Sequence, residues 1–353
     1  MRRISAPATA SSDERGLQVS LGLATDAKCG DRPRDCKTVS AAPAYSLLSP
    51  AMTTYPATCW GDPSSKKRAL LLHGLTSASS CWWRVAAYLT AQGTPRTALF
   101  SPVLSKLSLK LGYYVAAPDL IGHGLGPRPT SYTLSAFASA LRSFVAPSQQ
   151  PWDVLCGHSL GGLVALHLLP FMPSLPRLVL VDPPLEMSPL QAKWELDAIK
   201  SDFANPKSTL ELQRLYPRWT EWDAIIRVYG EAMCFPAGVD RLVEVSDARR
   251  WPFATGIGEA DITLQENCPW SFTHLLPPPS VLEVVILAAH SERAFSAAEA
   301  HALTKSRPDI KQAVIKNTRH SVHRDDPDEV ARWVVEGHEK RVGVAPVLVE
   351  GRL

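Results

Sequence analysis

The stretch Trp152-Asp153-Val154-Leu155-Cys156-Gly157-His158-Ser159-Leu160-Gly161-Gly162-Leu163-Val164-Ala165-Leu166-His167-Leu168-Leu169 decides the fold. Its first five residues read as a short apolar strand, and the run from Gly162 to Leu169 reads as a helix. Ser159 therefore falls at a strand-to-helix turn. A side chain on so sharp a turn needs small neighbours, because strand and helix pack closely beside it, and Gly157, Gly161 and Gly162 supply them. Glycines flank serines by chance in many loops, so the pattern G-x-S-x-G gains its weight from the strand before it and the helix after it. In that setting Ser159 reads as a nucleophile on an exposed elbow.

Two further segments belong with it. Lys67-Arg68-Ala69-Leu70-Leu71-Leu72 reads as a buried strand running into His73-Gly74-Leu75-Thr76, a loop whose backbone N–H groups can face an oxyanion. Tyr113-Tyr114-Val115-Ala116-Ala117-Pro118-Asp119-Leu120-Ile121-Gly122-His123-Gly124 is another short strand leading into a glycine-rich polar loop. With H-G-x, P-D-x-x-G-H-G and G-H-S-x-G-G in this order, the chain resembles the cap-bearing members of the α/β-hydrolase family over roughly Thr54 to Ala345. The resemblance implies an α/β fold, with a mostly parallel sheet flanked by helices and a helical cap inserted between strands. The expected site is cofactor-independent, and no metal-ligand spacing such as H-E-x-x-H is present.

Serine is a weak nucleophile at neutral pH and needs a general base, which in turn needs an acid to fix its tautomer. The family order is serine, acid, histidine. Lys316-Asn317-Thr318-Arg319-His320-Ser321-Val322-His323 follows the last strand-like run, Gln312 to Ile315, and His320 matches the family's catalytic histidine. Arg319 departs from the small residue common before it, and His323 is the competitor within the same loop. His73, His123 and His158 read as packing and loop-bonding residues, and Asp119 with its glycine-rich loop as scaffold.

The acid is ambiguous. Where the family carries G-x-x-D after its penultimate strand, this chain reads Ala289-His290-Ser291-Glu292-Arg293, which puts Glu292 in the aspartate's place; His290, at a variant acid position, cannot serve. Asp182, in Val181-Asp182-Pro183-Pro184, is the reserve acid, with a loop-capping role as its plainer reading. The oxyanion donors implied are the backbone N–H groups of Leu75 and Leu160.

Composition sets outer bounds. With 353 residues and 45% hydrophobic content the chain can bury a large core, and a net charge of +3 from 37 basic and 34 acidic residues provides no field for nucleic acid. Seven scattered cysteines without C-x-x-C spacing suggest free thiols in a reducing compartment, and the expected location is cytoplasmic. Arg2 and Arg3 hint at an organellar transit peptide, against which Asp13 and Glu14 count. No run approaches the roughly 20 apolar residues of a membrane helix.

Along the chain, residues 1–51 read as a disordered extension, 52–182 as the first part of the hydrolase core, 183–280 as the helical cap, 281–345 as the second part of the core and 346–353 as a tail. Residues 94–111 interrupt a helix-to-strand join that ordinarily takes 2–6 residues, and read as an insertion. Within the cap, helices are expected over Gln191 to Phe203 and Glu221 to Met233. The function implied is a serine carboxylesterase acting on small to medium apolar esters through an acyl-enzyme on Ser159. Two alternatives stand beside it: an acyltransferase with the same triad, and a non-catalytic hydrolase-fold scaffold.

Overall fold

A computed structural model of the protein describes residues 55–90, 112–145, 150–205, 207–230, 260–279, 281–291 and 294–335. The expected extension 1–51, the expected insertion at 94–111 and the tail lie outside the described residues, as do Cys29, Cys36 and Cys234. The four described cysteines, Cys59, Cys81, Cys156 and Cys268, are free thiols.

Among the described residues seven strands form one sheet: β1 (Ala57–Trp60), β2 (Arg68–Leu72), β3 (Tyr114–Pro118), β4 (Val154–His158), β5 (Arg177–Val181), β8 (Glu283–Ala289) and β9 (Lys311–Ile315). Their order is β1-β3-β2-β4-β5-β8-β9, with β1 antiparallel on the edge and all other pairs parallel. A two-stranded ribbon, β6 (Glu186–Met187) with β7 (Trp270–Ser271), stands apart.

Strands buried on both faces read as continuous apolar runs, and this is why RALLL and RLVLV signal parallel strands. The pleat sends alternate residues to opposite cores. Leu70, Leu72, Leu155, Leu178, Leu180 and Ile286 pack on one side with the helices α2 (Leu134–Leu141) and α3 (Leu160–Leu168). Ala69, Leu71, Cys156, Val179, Val181 and Leu287 pack on the other with α1 (Trp83–Thr90) and the helix Pro327–Val335. A one-residue slip in any strand would exchange these sets between the two layers.

The helical segment between β5 and β8 contains Pro189–Ala204, Thr209–Leu215 and Glu221–Ile225, with Ser188, Ser208 and Thr220 each forming a capping box at the helix start. Of the helical run expected over Glu221 to Met233, Glu221–Ile225 is α-helix and Ile226–Gly230 a π-helical turn, while residues 231–233 lie outside the described residues. Among the described residues no helix is long and apolar enough to cross a membrane.

Tight packing at the elbow explains its glycines. A Cβ on Gly161 would overlap the carbonyl oxygen of Leu72 and lie 2.6 Å from that of His73, and one on Gly157 would overlap the carbonyl of Gly161. Gly161→Ala is expected to destabilise the fold by about 3 kcal/mol, since the obstacle is strand backbone that cannot move aside. The gain in helix propensity, about 1 kcal/mol, does not offset this. A urea midpoint equal to that of the unsubstituted protein would contradict it.

Candidate active site

β4 and β5 are parallel neighbours with His158 opposite Val181, so the residues that follow each strand, Ser159 and Asp182, emerge side by side at the same carboxyl edge. Both occupy positive φ without being glycine, Ser159 at 51° and Asp182 at 47°. Such conformations cost on the order of 1–3 kcal/mol and persist where the surroundings fix them. Here the fixing is visible: Ser159 N–H donates to the Val181 carbonyl at 2.9 Å, and Asp182 N–H to that of Leu287 at 2.7 Å. Ser159 itself precedes the first turn of α3.

Asp182 is fully buried, and four donors surround its carboxylate. Oδ1 accepts from the N–H groups of Ala289 at 3.2 Å and Phe295 at 3.3 Å. Oδ2 accepts from the Ala294 N–H at 2.8 Å and lies 2.7 Å from His320 Nδ1. A buried carboxylate paired in this way is held to one orientation.

Of the two candidate acids, the described residues place one beside His320. The carboxylate at His320 Nδ1 is Asp182, ranked second from sequence, while Glu292, ranked first, lies outside the described residues. The loop after β8, where the family's usual acid stands, contributes backbone N–H groups to a carboxylate rooted on β5.

His320 is partly exposed, and its backbone is tied to the elbow, because His158 Nε2 donates to the His320 carbonyl at 2.8 Å. The rings of His158 and His320 stand 4.7 Å apart. With Nδ1–H directed at Asp182, Nε2 of His320 is the nitrogen that carries the lone pair. The loops after β8 and β9 brace each other, as the Thr318 carbonyl accepts from the N–H groups of His290 and Ser291 at 3.1 Å each. His323, the competitor in sequence, is enclosed between Trp82 at 4.5 Å and His158 at 4.4 Å and does not reach the surface.

The loop His73–Thr76 lies against the elbow: a Cβ on Gly74 would stand 3.2 Å from Ser159 Cβ and 2.8 Å from His158 Nδ1. Leu75 and Leu160, whose N–H groups the sequence nominated, therefore flank Ser159, Leu160 opening α3 and Leu75 following Gly74. Two buried histidines hold the loop. His73 Nδ1 bonds the Gly74 carbonyl at 2.8 Å while its Nε2 accepts from Leu120 N–H at 2.9 Å. His123 Nδ1 bonds the Ile121 carbonyl at 2.8 Å while its Nε2 accepts from Thr76 N–H at 3.1 Å. Each uses one nitrogen as donor and the other as acceptor, which only the neutral ring can do. Burial accordingly lowers the His73 pKa to about 4 and that of His123 to about 3, and holds His158 and His323 well below the ordinary value. Asp119 orders the adjoining loop, accepting from the N–H groups of Ser79 at 2.7 Å and Leu125 at 3.0 Å.

Sequence reasoning passed over two further residues. Asp325 accepts from Trp219 Nε1 at 2.7 Å and from the Arg319 N–H at 2.6 Å, which joins the His320 loop to the segment between β5 and β8. Arg227, on the π-helical turn, reaches the Thr76 carbonyl at 3.3 Å. Neither belongs to a local motif that would have singled it out.

A model of the alpha/beta hydrolase family matches residues 69–333. The lipase LipV of Mycobacterium tuberculosis is 31% identical over 147 residues, which span 41% of this chain and 48% of that protein. The esterase PIR7B of Oryza sativa subsp. japonica is 36% identical over 108 residues, 30% of this chain and 34% of that one. The chain thus spans about half or less of the length of these curated relatives. Among solved structures, the thioesterase domain from the curacin biosynthetic pathway superposes with a TM-score of 0.52 at 20% identity, covering 79% of this chain and 93% of its own. The esterase of Exiguobacterium antarcticum gives 0.51 at 15% identity, with 79% and 94% covered. At such identities these two superpositions speak to the fold alone.

Proposed function

Because the chain belongs to the alpha/beta hydrolase family, we propose that it is a serine hydrolase of carboxylic esters, with Ser159 as nucleophile, His320 as general base and Asp182 as the orienting acid. The observation that carries this reading is the 2.7 Å bond from His320 Nδ1 to a buried carboxylate that emerges beside Ser159. The relatives that bear the names lipase and esterase support an ester as the substrate class.

In this reading His320 Nε2 removes the Ser159 proton as Oγ attacks the ester carbonyl. Asp182 fixes the tautomer and stabilises the imidazolium that forms. The N–H groups of Leu75 and Leu160 receive the oxyanion. Collapse expels the alcohol, protonated by His320, and leaves an acyl group on Ser159. Water, activated by the same histidine, then attacks the acyl-enzyme and releases the acid. The helical segment between β5 and β8 acts as a cap that shapes the acyl pocket, which suits small to medium apolar chains.

A panel of acyl esters of increasing chain length tests the assignment. Ser159→Ala and His320→Ala are each expected to lose turnover on every member while keeping the melting temperature within a few degrees, since neither side chain belongs to the core. Hydrolysis that survives Ser159→Ala at the unsubstituted rate would sink the reading.

A further inference from the structure

Thr76 follows Leu75 directly and sits at φ 57°, a left-handed conformation that a β-branched residue adopts only under constraint. Both of its backbone polar groups are held. Its N–H donates to His123 Nε2 at 3.1 Å, a bond from within the core, and its carbonyl accepts from the Arg227 guanidinium at 3.3 Å, a bond from the segment between β5 and β8.

Arg227 is carried there by a specific local arrangement. One turn earlier, Asp223 is buried and bonded to α1, accepting from Trp83 Nε1 and from Arg84 at 3.0 Å each, while its capping box with Thr220 fixes the helix start. From Ile226 the helix changes to π geometry, in which hydrogen bonds reach one residue further and the side chains are re-aimed. That turn packs against the short helix Ser79–Trp82, immediately after the oxyanion loop. A partly buried guanidinium thus ends on the carbonyl of the strained residue adjoining the proposed oxyanion donor.

We propose that Arg227 is a positioning residue for the oxyanion site: by holding the Thr76 carbonyl it keeps the Leu75 N–H aimed at the developing charge, and it makes that donor's placement depend on the docked segment between β5 and β8. The proposal rests on the serine-hydrolase reading of the site for its consequence in catalysis, but not for the loop contact itself. An arginine that bound the substrate's acyl or alcohol portion would act in the ground state. One that aims an oxyanion donor acts in the transition state.

The two are separated by a set of measurements on Arg227→Gln and Arg227→Lys. Hydrogen exchange over residues 73–78 is expected to quicken in Arg227→Gln, with exchange in β4 and α3 unchanged. On an ester substrate, kcat should fall about 10- to 30-fold with KM within about two-fold, less than the 10²–10³ lost when an oxyanion donor is itself removed. The Ki of a trifluoromethyl ketone, whose hemiketal oxygen occupies the oxyanion position, should rise by the same factor as kcat falls. Arg227→Lys should recover most of each effect, which also shows that a loss in Arg227→Gln is not general misfolding. Unchanged exchange over 73–78, or a rise in KM with kcat intact, would overturn the proposal. A chain that takes no fluorophosphonate at Ser159 defeats the hydrolase reading instead, and the exchange measurement then decides whether Arg227 holds the loop.

Discussion

Asp182→Asn is expected to lower kcat about 10⁴-fold, the loss that follows when a triad acid can no longer fix its histidine's tautomer. Both oxygens of Asp182 accept hydrogen bonds, Oδ1 from Ala289 and Phe295 and Oδ2 from Ala294 and His320. An asparagine must turn its NH₂ toward a donor on one side or the other. Facing Ala294 and His320, the amide drives the imidazole proton to Nε2 and removes the lone pair needed by Ser159. Facing Ala289 and Phe295, it sets N–H against N–H. Either way a buried polar group goes unsatisfied, at about 1–3 kcal/mol, so kcat has to be measured under conditions where the variant is shown to be folded. Glu292→Gln is expected to stay within a few-fold of the unsubstituted enzyme. A deep loss in Glu292→Gln with near-normal activity in Asp182→Asn would reverse the assignment.

Acid should unfold this protein well before its carboxylates are neutralised. His73 and His123 are neutral when folded, with pKa values near 4 and 3, whereas exposed histidine titrates near 6.5. The unfolded chain therefore binds more protons than the folded one between those limits. Stability is complete above about pH 6.5 and declines as the pH falls toward the folded values. By pH 4 each of the two rings weighs on the order of 3 kcal/mol against the fold, comparable together with the whole stability of many domains. His158 and His323, held neutral by burial in the same way, act in the same direction. Urea midpoints measured from pH 8 down to about pH 4 should fall steadily below pH 6.5. A flat profile over that range would show that the rings are hydrated or charged in the folded state.

The parts of this fold that were legible in the sequence are those carried by local pattern. A continuous apolar run gave β2 within a residue, because a strand buried on both faces leaves little room for polar residues. The glycines around Ser159 marked the elbow because Gly161 lies against the backbone of the neighbouring strand and Gly157 against that of Gly161, with no room for a Cβ at either. β6 and β7, two residues each, are too short to show a period. Asp182 was placed second because its surroundings form only in three dimensions: its partners come from residues 289, 294, 295 and 320, and no local spacing reveals that backbone N–H groups from the end of β8 and the loop after it will enclose it. The π-helical turn was likewise hidden: Asp223, just before it, is bonded to Trp83 and Arg84 of α1, a contact that the composition of residues 226–230 does not report.

Whether Ser159 is an activated nucleophile is settled by incubating the folded protein with a fluorophosphonate and measuring its intact mass. A single phosphonyl adduct is expected, mapped to the peptide containing Ser159, absent in Ser159→Ala and formed far more slowly in His320→Ala and Asp182→Asn. Folded protein that takes no adduct, or one that maps to a different residue, would contradict it.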